Sequence, residues 1–511
     1  MTKRPRAAGS GSGHRGLRSI APFALLAIAA VVVTIVIVQI IATARRSADW
    51  PGFGFDPAGS RTNPTETRIS ATTVQGLRRL WQTTLPDVAD SSPAYLPTLA
   101  FPDGTTHDVL YLTTKSGSLV ALDANNGAQL WAHQNPSAGP NMVTTSSPLA
   151  DWASGAIYSY GLDGKVHKYE AVSGAELFGS GWPVTVSNMP VTEKESSALN
   201  SAHGFLYVTM ASCCGDTPPY QGHVVAINLT TGAKHVFNAV CSDHTHLLQP
   251  GECRDNGAGI WARPGVVVDP VTGNLFLATG NGPYTADQGG HDWGESVLEL
   301  TPDVGRVVDS YTLANPNDMT PQDLDLGSAD PALLPAVPGG KVPYLAVQAS
   351  KEGVLRLLNR RNLSGQGGPG HIGGELQAID APDHCPVLTQ PAVWTDPAGG
   401  GIWVFVTNYC AIGGYRLVTS PSGDTKLQQA WSVGTGASSP IVAGDVLFAT
   451  ATGDTREALA LDPRSGRRLW SSTAPGAVSS IGTIHWESPI VIGGRLYCTD
   501  EQGQVTAYGL G

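Results

Sequence analysis

One short pattern recurs along most of this chain, and that repeat limits the possible folds more than any other feature. A short apolar strand and a glycine turn are followed by x-x-G-x-h-x-A-h-D and then by x-x-x-G-x-x-x-W, where h is apolar. The clearest copies end at Trp131 and Trp470, and eight copies can be traced to the C-terminus. Each copy predicts four short strands joined by tight turns, which is the unit of a propeller blade. We therefore expect an all-β fold, an eight-bladed β-propeller.

The eighth copy ends after its third strand, so its fourth strand has to come from elsewhere. Residues 77–84, LRRLWQTT, form an isolated strand that carries the terminal Trp of the pattern. We expect this strand to complete the eighth blade, because closing the ring removes an exposed sheet edge. The recurring aromatic residue is interpreted as packing between blades. The propeller is thus predicted to span residues 77–511.

The N-terminus carries the strongest signal for location. Residues 19–44 are uncharged and rich in Ile, Val, Leu and Ala, and this run exceeds the ~20 apolar residues that cross a bilayer. Residues 1–18 contain five basic residues and no acid, so the positive-inside bias predicts a cytoplasmic tail, a single transmembrane helix and an exported propeller. The sequence ATA at 42–44 has the form of a cleavage site, which leaves a cleaved leader as the alternative. Residues 45–76 are interpreted as a linker and leading segment.

The distribution of charge excludes one class of partner. Residues 1–46 carry seven basic residues and no acid, which leaves 24 basic and 42 acidic residues in the rest of the chain. A body this acidic is a poor partner for nucleic acid.

All seven cysteines lie in the part predicted to be exported, where disulfides can form. The candidate pairs are Cys241–Cys253, which bracket one loop, Cys385–Cys410 within one repeat, and the adjacent Cys213–Cys214. Cys498 lies in an apolar strand pattern and is predicted to be a buried thiol. No C-x-x-C-H sequence occurs, so we expect no attached c-type haem.

A propeller of this kind gathers polar side chains at one mouth of its central channel. The first strand of each blade lines the channel, so the residues just before those strands ring the mouth. They are Asp90, Thr145, Glu195, Trp261, Asp325, Thr389, Ala437 and Glu487, with His485 and Trp486 close by. Convergent carboxylates favour a hard cation such as Ca²⁺ or supply a general base. A solvated acidic rim is the alternative interpretation.

Several segments resemble the quinoprotein dehydrogenases, eight-bladed propellers that bind pyrroloquinoline quinone (PQQ). Residues 49–81 resemble the family's leading segment, and TGNGPY with DWGESVLELTPDVG (279–305) is similar to its T-G-N-x-x-P-W … W-x-x-S-h-h-A-L-D-x-x-T-G. MTPQDLDLGSADPALL (319–334) resembles T-P-h-D-x-W-D, with Leu324 in place of tryptophan, and KEGVLRLLNR (351–360) resembles R/K-x-G-x-x-Y-x-L-D-R. The adjacent cysteines in the third blade are similar to the polyvinyl-alcohol dehydrogenase branch. The resemblance covers roughly residues 49–511.

The resemblance implies roles for individual residues. Asn281 and Asp325 become Ca²⁺ ligands, Asp325 also becomes the catalytic base, and Lys351 becomes the cation beside the quinone carbonyls. Trp261 becomes the aromatic floor under the cofactor. The family's third-blade glutamate has no clear counterpart, and Asp216 is the nearest acid. Glu195, at the predicted channel mouth, is a further candidate for the cofactor site.

Two functions follow from these observations. The first is a membrane-anchored dehydrogenase that uses PQQ and Ca²⁺ to oxidise an alcohol or a sugar and passes electrons to a membrane quinone or a separate carrier. The second is a non-catalytic propeller that binds envelope proteins, similar to the outer-membrane assembly propellers. The ordered occurrence of Asn281, Asp325 and Lys351 favours the enzyme.

Overall fold

Short strands separated by glycine-containing turns build the described part of the chain. The structure is a computed structural model that describes residues 1–2, 9, 49–473 and 480–510. From residue 49 on, the described residues form eight separate sheets, each with four antiparallel strands. The chain is therefore an all-β, eight-bladed β-propeller, as the repeat predicts.

The blades are numbered here from I to VIII in chain order. Blades I to IV consist of the strands Ala94–Ala100, Thr106–Thr113, Ser118–Asp123, Gln129–Gln134; Leu149–Asp151, Ala156–Gly161, Lys165–Glu170, Val184–Thr185; Asn200–Ala202, Phe205–Ser212, His223–Asn228, Lys234–Asn238; Val267–Val268, Leu275–Ala278, Ser296–Leu300, Val307–Thr312. Blades V to VIII consist of Ala332–Leu333, Leu345–Ala349, Val354–Asn359, Gln377–Asp380; Ala392–Asp396, Gly401–Thr407, Ile412–Thr419, Thr425–Val433; Ile441–Ala443, Val446–Thr450, Ala458–Leu461, Arg468–Ser471; Ile490–Ile492, Arg495–Thr499, Gln504–Leu510, Leu77–Thr84. Two-residue strands are added to blade III (Glu193–Lys194) and blade VII (Thr62–Asn63).

Helical segments among the described residues are short. One is an α-helical turn, Pro316–Met319; the 3₁₀ turns are Val74–Gly76, Ala286–Gln288, Thr320–Gln322, Leu326–Ser328, Pro382–His384 and Gly453–Thr455. Within residues 49–473 and 480–510, no helix has the length and apolar character needed to cross a bilayer. The predicted anchor, residues 19–44, lies outside the described residues.

The ring closes with a strand from the start of the propeller. Leu77–Thr84 pairs antiparallel with the last strand, Gln504–Leu510, so that Leu77 lies opposite Leu510 and Thr84 opposite Gln504. The predicted closure of blade VIII is thereby confirmed. This pairing covers the edge that the last strand of the chain, Gln504–Leu510, would otherwise expose.

The repeated glycine and tryptophan form one contact between neighbouring blades. A Cβ atom on Gly174 of blade II would lie 2.6 Å from the ring of Trp131 of blade I. The Trp131 indole N–H also donates to the carbonyl of Ala171, at 3.2 Å. Gly127 has the same relation to Trp81, at 2.5 Å. The aromatic position of the repeat thus packs blade on blade at Trp81 and Trp131, whereas Phe178, which ends the copy in blade II, is exposed.

The leading segment lies across one end of the channel. Backbone hydrogen bonds join its residues 50–63 to the innermost strands of five blades. The pairs, given as donor and acceptor, include Trp50–Tyr95, Ala150–Pro51, Val268–Pro57, Val393–Ser60 and Val442–Arg61. The Arg61 side chain is fully buried and donates from Nε to the Pro440 carbonyl at 2.6 Å. These bonds hold the segment against one end of the channel, where a turn joins the first strand of each blade to the second.

The disulfides are as predicted. Bonds join Cys241 to Cys253, Cys385 to Cys410, and the adjacent Cys213 to Cys214. Cys498 is a buried free thiol.

Candidate functional site

A wide cavity of about 680 Å³ lies at the end of the channel opposite the leading segment. Its lining comes from blades I to V and from the segment before blade VIII. The polar and aromatic members are Asp90, Lys115, Thr145, Lys194, Ser196, Ser212, Asp216, Tyr220, Trp261, Arg263, Asn281, Asp323, Asp325, Lys351, His485 and Trp486. Most of the predicted mouth residues on this side therefore meet in one space.

Blades VI and VII form a different part of the mouth. The predicted residues Thr389 and Ala437 line a narrow cavity of about 10 Å³, together with Tyr409. That volume holds at most about one water molecule. His485 and Trp486 line both cavities, so this pair forms the wall between the two sectors.

Asp325 is the centre of the acidic side of the wide cavity. Its Oδ1 accepts a hydrogen bond from the backbone N–H of Asn281 at 2.8 Å, and its Oδ2 accepts one from Lys351 Nζ at 2.8 Å. The residue is 4% exposed. A Cβ atom at Gly280 would lie 2.2 Å from Asp325 Oδ1. The glycine of T-G-N therefore lets the carboxylate approach the Asn281 backbone.

Asn281 places an unused oxygen among carboxylates. Its Nδ2 donates to Asp216 Oδ2 and to Asp323 Oδ1, each at 3.0 Å. Its Oδ1 is buried and has no hydrogen-bond partner. Tyr220 donates to the other oxygen of Asp216 at 2.7 Å and fixes that side chain. The amide thus stands between two acids where oxygen ligands for a hard cation are concentrated.

The charges around Asp325 are coupled. Burial raises the pKa of the Asp325 carboxyl, although the Lys351 ammonium opposes that effect. Burial alone would lower the pKa of Lys351, but the carboxylates of Asp325 and Asp323 reverse this and raise it. Lys351 also donates to Asp323 Oδ1 at 2.7 Å. Its ammonium is therefore fixed between two carboxylates and stays charged.

Two more predicted residues take different places. Trp261 lines the wide cavity, and the Lys351 ammonium lies 5.6 Å from the centre of its ring. Glu195 is fully buried, its carboxylate has no hydrogen-bond partner, and it is not part of the lining. Its neighbours Lys194 and Ser196 line the cavity instead, because successive side chains of an extended segment point to opposite sides.

The opposite wall carries a histidine–aspartate pair. His485 Nδ1 lies 2.7 Å from Asp90 Oδ2, and the Asp90 side chain is fully buried. Lys115 lies 3.3 Å from the same Asp90 oxygen and 2.7 Å from Glu501. Glu487, predicted at the mouth, is buried and accepts a bond from the His485 backbone at 2.6 Å. It is not part of the lining.

Asp323 and Glu295 were not predicted from the sequence. Asp323 has a left-handed backbone (φ 54°) and shares both Lys351 and Asn281 with Asp325. Its spacing of two residues from Asp325 was the available signal. Glu295 accepts a bond from the Leu326 backbone at 2.7 Å, and burial raises its pKa to about 8. No motif pointed to it.

Two family models match parts of this chain. Residues 50–366 match the family model described as glucose/ethanol/alcohol dehydrogenase, β-propeller domain. That match covers more than half of the chain, which therefore belongs to this family of PQQ-dependent dehydrogenase-like propellers. A second model, outer membrane protein assembly factor BamB, matches residues 396–509.

Individual relatives are distant. Polyvinylalcohol dehydrogenase of a Pseudomonas species is 23% identical over 281 residues, which are 50% of this chain and 39% of the relative. Quinohemoprotein alcohol dehydrogenase ADH IIB of Pseudomonas putida is 23% identical over 63% of this chain and 47% of its own. The chain thus spans less than half the length of these relatives. In structure, quinohemoprotein alcohol dehydrogenase ADHIIG of P. putida HK5 aligns with TM-score 0.63 and 17% identity, over 93% of this chain and 82% of that one. This likeness shows the fold.

Proposed function

We propose that the protein is a PQQ- and Ca²⁺-dependent dehydrogenase that oxidises a hydroxyl group of an alcohol or a sugar. The observation that supports it most is the convergence of Asn281, Asp325 and Lys351 on one wide cavity, in contact with one another. Packing of the blades does not require this cluster.

The donor atoms fit the cation that the family implies. Asn281 Oδ1 is a buried oxygen without a partner, and carboxylates of Asp216, Asp323 and Asp325 surround that amide. Ca²⁺ prefers such oxygen donors. We assign Asn281, Asp325 and Asp216 as the residues that would hold it. Asp216 then stands in for the third-blade glutamate that the sequence lacks.

The cavity also suits a planar, charged cofactor. Trp261 offers an aromatic surface in the lining, and Lys351 lies above its ring. The adjacent disulfide, Cys213–Cys214, follows Ser212 and precedes Gly215 of the same lining. When bound, PQQ would supply a two-electron acceptor and Ca²⁺ a charge that polarises neighbouring oxygens.

The chain's own contribution is to orient the substrate and to take its proton. Asp325 is an ionisable carboxylate held from two sides, so its free lone pairs can accept the proton of a substrate hydroxyl. Its raised pKa brings it closer to the operating pH than an ordinary aspartate. Lys351 keeps the carboxylate ionised and presents positive charge to the cavity. The proton of the substrate hydroxyl would thus go to Asp325, and PQQ, when bound, would supply the acceptor for the hydrogen and electron pair of the carbinol C–H bond.

A second function is favoured by one observation, the match of residues 396–509 to an assembly-factor model. On that proposal the propeller would bind envelope proteins and carry no redox chemistry. The wide cavity and its acidic cluster would then have no role.

A dye-reduction assay distinguishes the two functions. Purified protein loaded with PQQ and Ca²⁺ is given a panel of primary alcohols, polyols and sugars. The dehydrogenase proposal expects dye reduction with at least one substrate class, lost in Asp325→Asn. A protein that binds PQQ yet reduces dye equally with and without every substrate would favour the scaffold.

We also propose that residues 19–44 anchor the propeller on the outer side of a membrane. The proposal rests on the uncharged run and on the basic residues before it. Membranes washed at high salt should retain the protein with its encoded N-terminus. Recovery in the soluble fraction with Arg45 as the first residue would instead indicate a cleaved leader.

A further inference from the structure

Blade III has a short additional strand that introduces a lysine into the wide cavity. Glu193–Lys194 pairs antiparallel with the second strand of the blade, so that Lys194 lies opposite Ala211. Lys194 and Ala211 both line the cavity. The regular four-strand repeat does not need this strand.

The side-chain ammonium of Lys194 has no hydrogen-bond or ion-pair partner among the described residues. The carboxylate of its neighbour Glu193 is occupied, since it accepts bonds from Ser187 Oγ at 2.5 Å and from the Gln221 backbone at 3.0 Å. Glu195 is buried away from the cavity lining. Lys194 is thus a half-buried ammonium beside two glutamates and bonded to neither.

The other cations of the cavity are already paired. Lys115 contacts Asp90 and Glu501, and Lys351 contacts Asp323 and Asp325. Arg263 donates from its terminal nitrogens to the backbone oxygens of Ser196 at 2.6 Å and Thr145 at 2.8 Å, and only its buried Nε lacks a partner. Within the described part of the chain, the ammonium of Lys194 is the cationic group of this cavity that makes no hydrogen bond or ion pair.

Charges of both signs lie near Lys194. Burial lowers the pKa of Lys194; the Asp90 carboxylate opposes this effect, and the charges of Arg263 and Lys115 add to it. Lys194, Arg263 and Lys115 share this wall with Asp90, whose carboxylate already contacts His485 and Lys115. An anion placed there would relieve the mutual repulsion of the three cations. The acidic cluster of Asp216, Asp323 and Asp325 makes the facing wall the opposite in sign.

We propose that Lys194 binds a carboxylate of the ligand that occupies this cavity, and that the carboxylate belongs to PQQ. The inference rests on the proposed function, because PQQ is a tricarboxylate and thus presents the group that an unpaired ammonium selects. Lys351 serves the acidic wall, whereas Lys194 holds the far end of the cofactor and sets its orientation.

Calorimetric titration of the full-length protein with PQQ in the presence of Ca²⁺ tests the assignment. Lys194→Met keeps the length of the side chain and removes its charge, so PQQ affinity should fall about 10- to 100-fold, as for loss of a charge-assisted hydrogen bond. Lys194→Arg should keep most of the affinity. Lys426→Met, at an exposed position of blade VI, is the control and should bind like the wild type. Unchanged affinity in Lys194→Met would overturn the proposal.

A second probe separates this inference from the proposed function. The same variants are titrated with benzene-1,3,5-tricarboxylate. If the wild type ignores PQQ but binds this tricarboxylate, and Lys194→Met loses that binding, the cofactor assignment fails while the carboxylate site stands. If the wild type binds neither probe, both fail. Melting curves of each variant confirm that the fold is intact.

Discussion

Two sectors of the channel mouth are built from the same repeat and differ in what is inserted into it. In blades III and IV the connections between the second and third strands are long, residues 213–222 and 279–295, and they carry Asp216 and Asn281. In blades VI and VII the same connections are residues 408–411 and 451–457. The long connections reach a wide polar cavity, and the short ones leave a narrow one. The repeat therefore supplies the scaffold, the two insertions supply Asp216 and Asn281, and blade V adds Asp325 from the segment before it and Lys351 from a short connection.

The family matches divide at the same place. The dehydrogenase model covers residues 50–366, which include blades I to IV and the site residues of blade V. The assembly-factor model covers residues 396–509, in blades VI to VIII. The shared blade motif explains why one chain matches both. A change in the site sector should thus affect chemistry, and a change in blades VI to VIII should affect stability.

The largest effect is expected for Asp325→Asn. The amide cannot accept the substrate proton, so dye reduction should fall about 10²- to 10⁴-fold. Lys351 keeps its bond to Asp323, so the melting temperature should change little. Asp383→Asn, at an exposed position before blade VI, is the matched control. Full activity in Asp325→Asn would remove it from the mechanism.

The counterpart in the scaffold sector is Trp470→Ala. Trp470 is 4% exposed and donates to the Leu77 carbonyl at 3.2 Å, so its loss should lower the free energy of unfolding by about 3–5 kcal/mol. Activity per folded molecule should be unchanged. Phe178 holds the same motif position in blade II but is 73% exposed, and Phe178→Ala should cost little. Equal losses in the two variants would show that the motif position does not act through packing.

A smaller effect is expected for Lys351→Met. Removing the cation should weaken PQQ binding and slow turnover, each by about 10- to 100-fold, while the melting temperature stays close to the wild type. Lys351→Arg should recover part of both. Calorimetry and dye reduction measure the two quantities separately. A variant that binds PQQ normally would limit Lys351 to the two aspartates it contacts.

The smallest effect is expected for Asp396→Asn between blades VI and VII. Arg464 donates to both Asp396 oxygens, at 2.8 and 2.5 Å, and these bonds hold the pKa of Asp396 below its usual range. Arg464 is partly exposed, so the loss near neutral pH should be about 1 kcal/mol. A carboxyl with a lowered folded-state pKa stabilises above about pH 4 and loses that contribution as the pH falls further. The difference between wild type and variant in urea unfolding should therefore shrink in acid, and a constant difference would contradict this.

The number of blades and the closure of the ring were predictable because the repeat consists of particular side chains at fixed spacings. The Trp131–Gly174 contact needs a bulky ring and a residue without a Cβ atom, so both positions leave a signal in the sequence. No comparable pattern in the sequence predicted where the leading segment lies. Residues 50–63 are held chiefly by backbone hydrogen bonds, which any residue can make.

The site was predictable in part and for a different reason. Asn281, Asp325 and Lys351 came from a resemblance to a family, and the structure brings them into contact. Glu195 came instead from its predicted place before the first strand of blade III, and its comparison with Lys194 shows the limit of that reasoning. Both lie near the start of blade III, and the alternation of side chains along the extended chain decides which of the two lines the cavity. Asp323 was missed because its role depends on a left-handed turn that places it beside Lys351.

The central claim is that the site residues of blades III to V create a PQQ site that depends on Ca²⁺. Titration of the purified protein with PQQ, once with Ca²⁺ and once with a chelator, tests it most directly. We expect saturable binding with Ca²⁺, weakened at least about tenfold by the chelator and by Asn281→Ala, but not by Tyr409→Phe in the narrow sector. No binding at micromolar PQQ with Ca²⁺ present, or binding that Asn281→Ala leaves unchanged, would contradict the account.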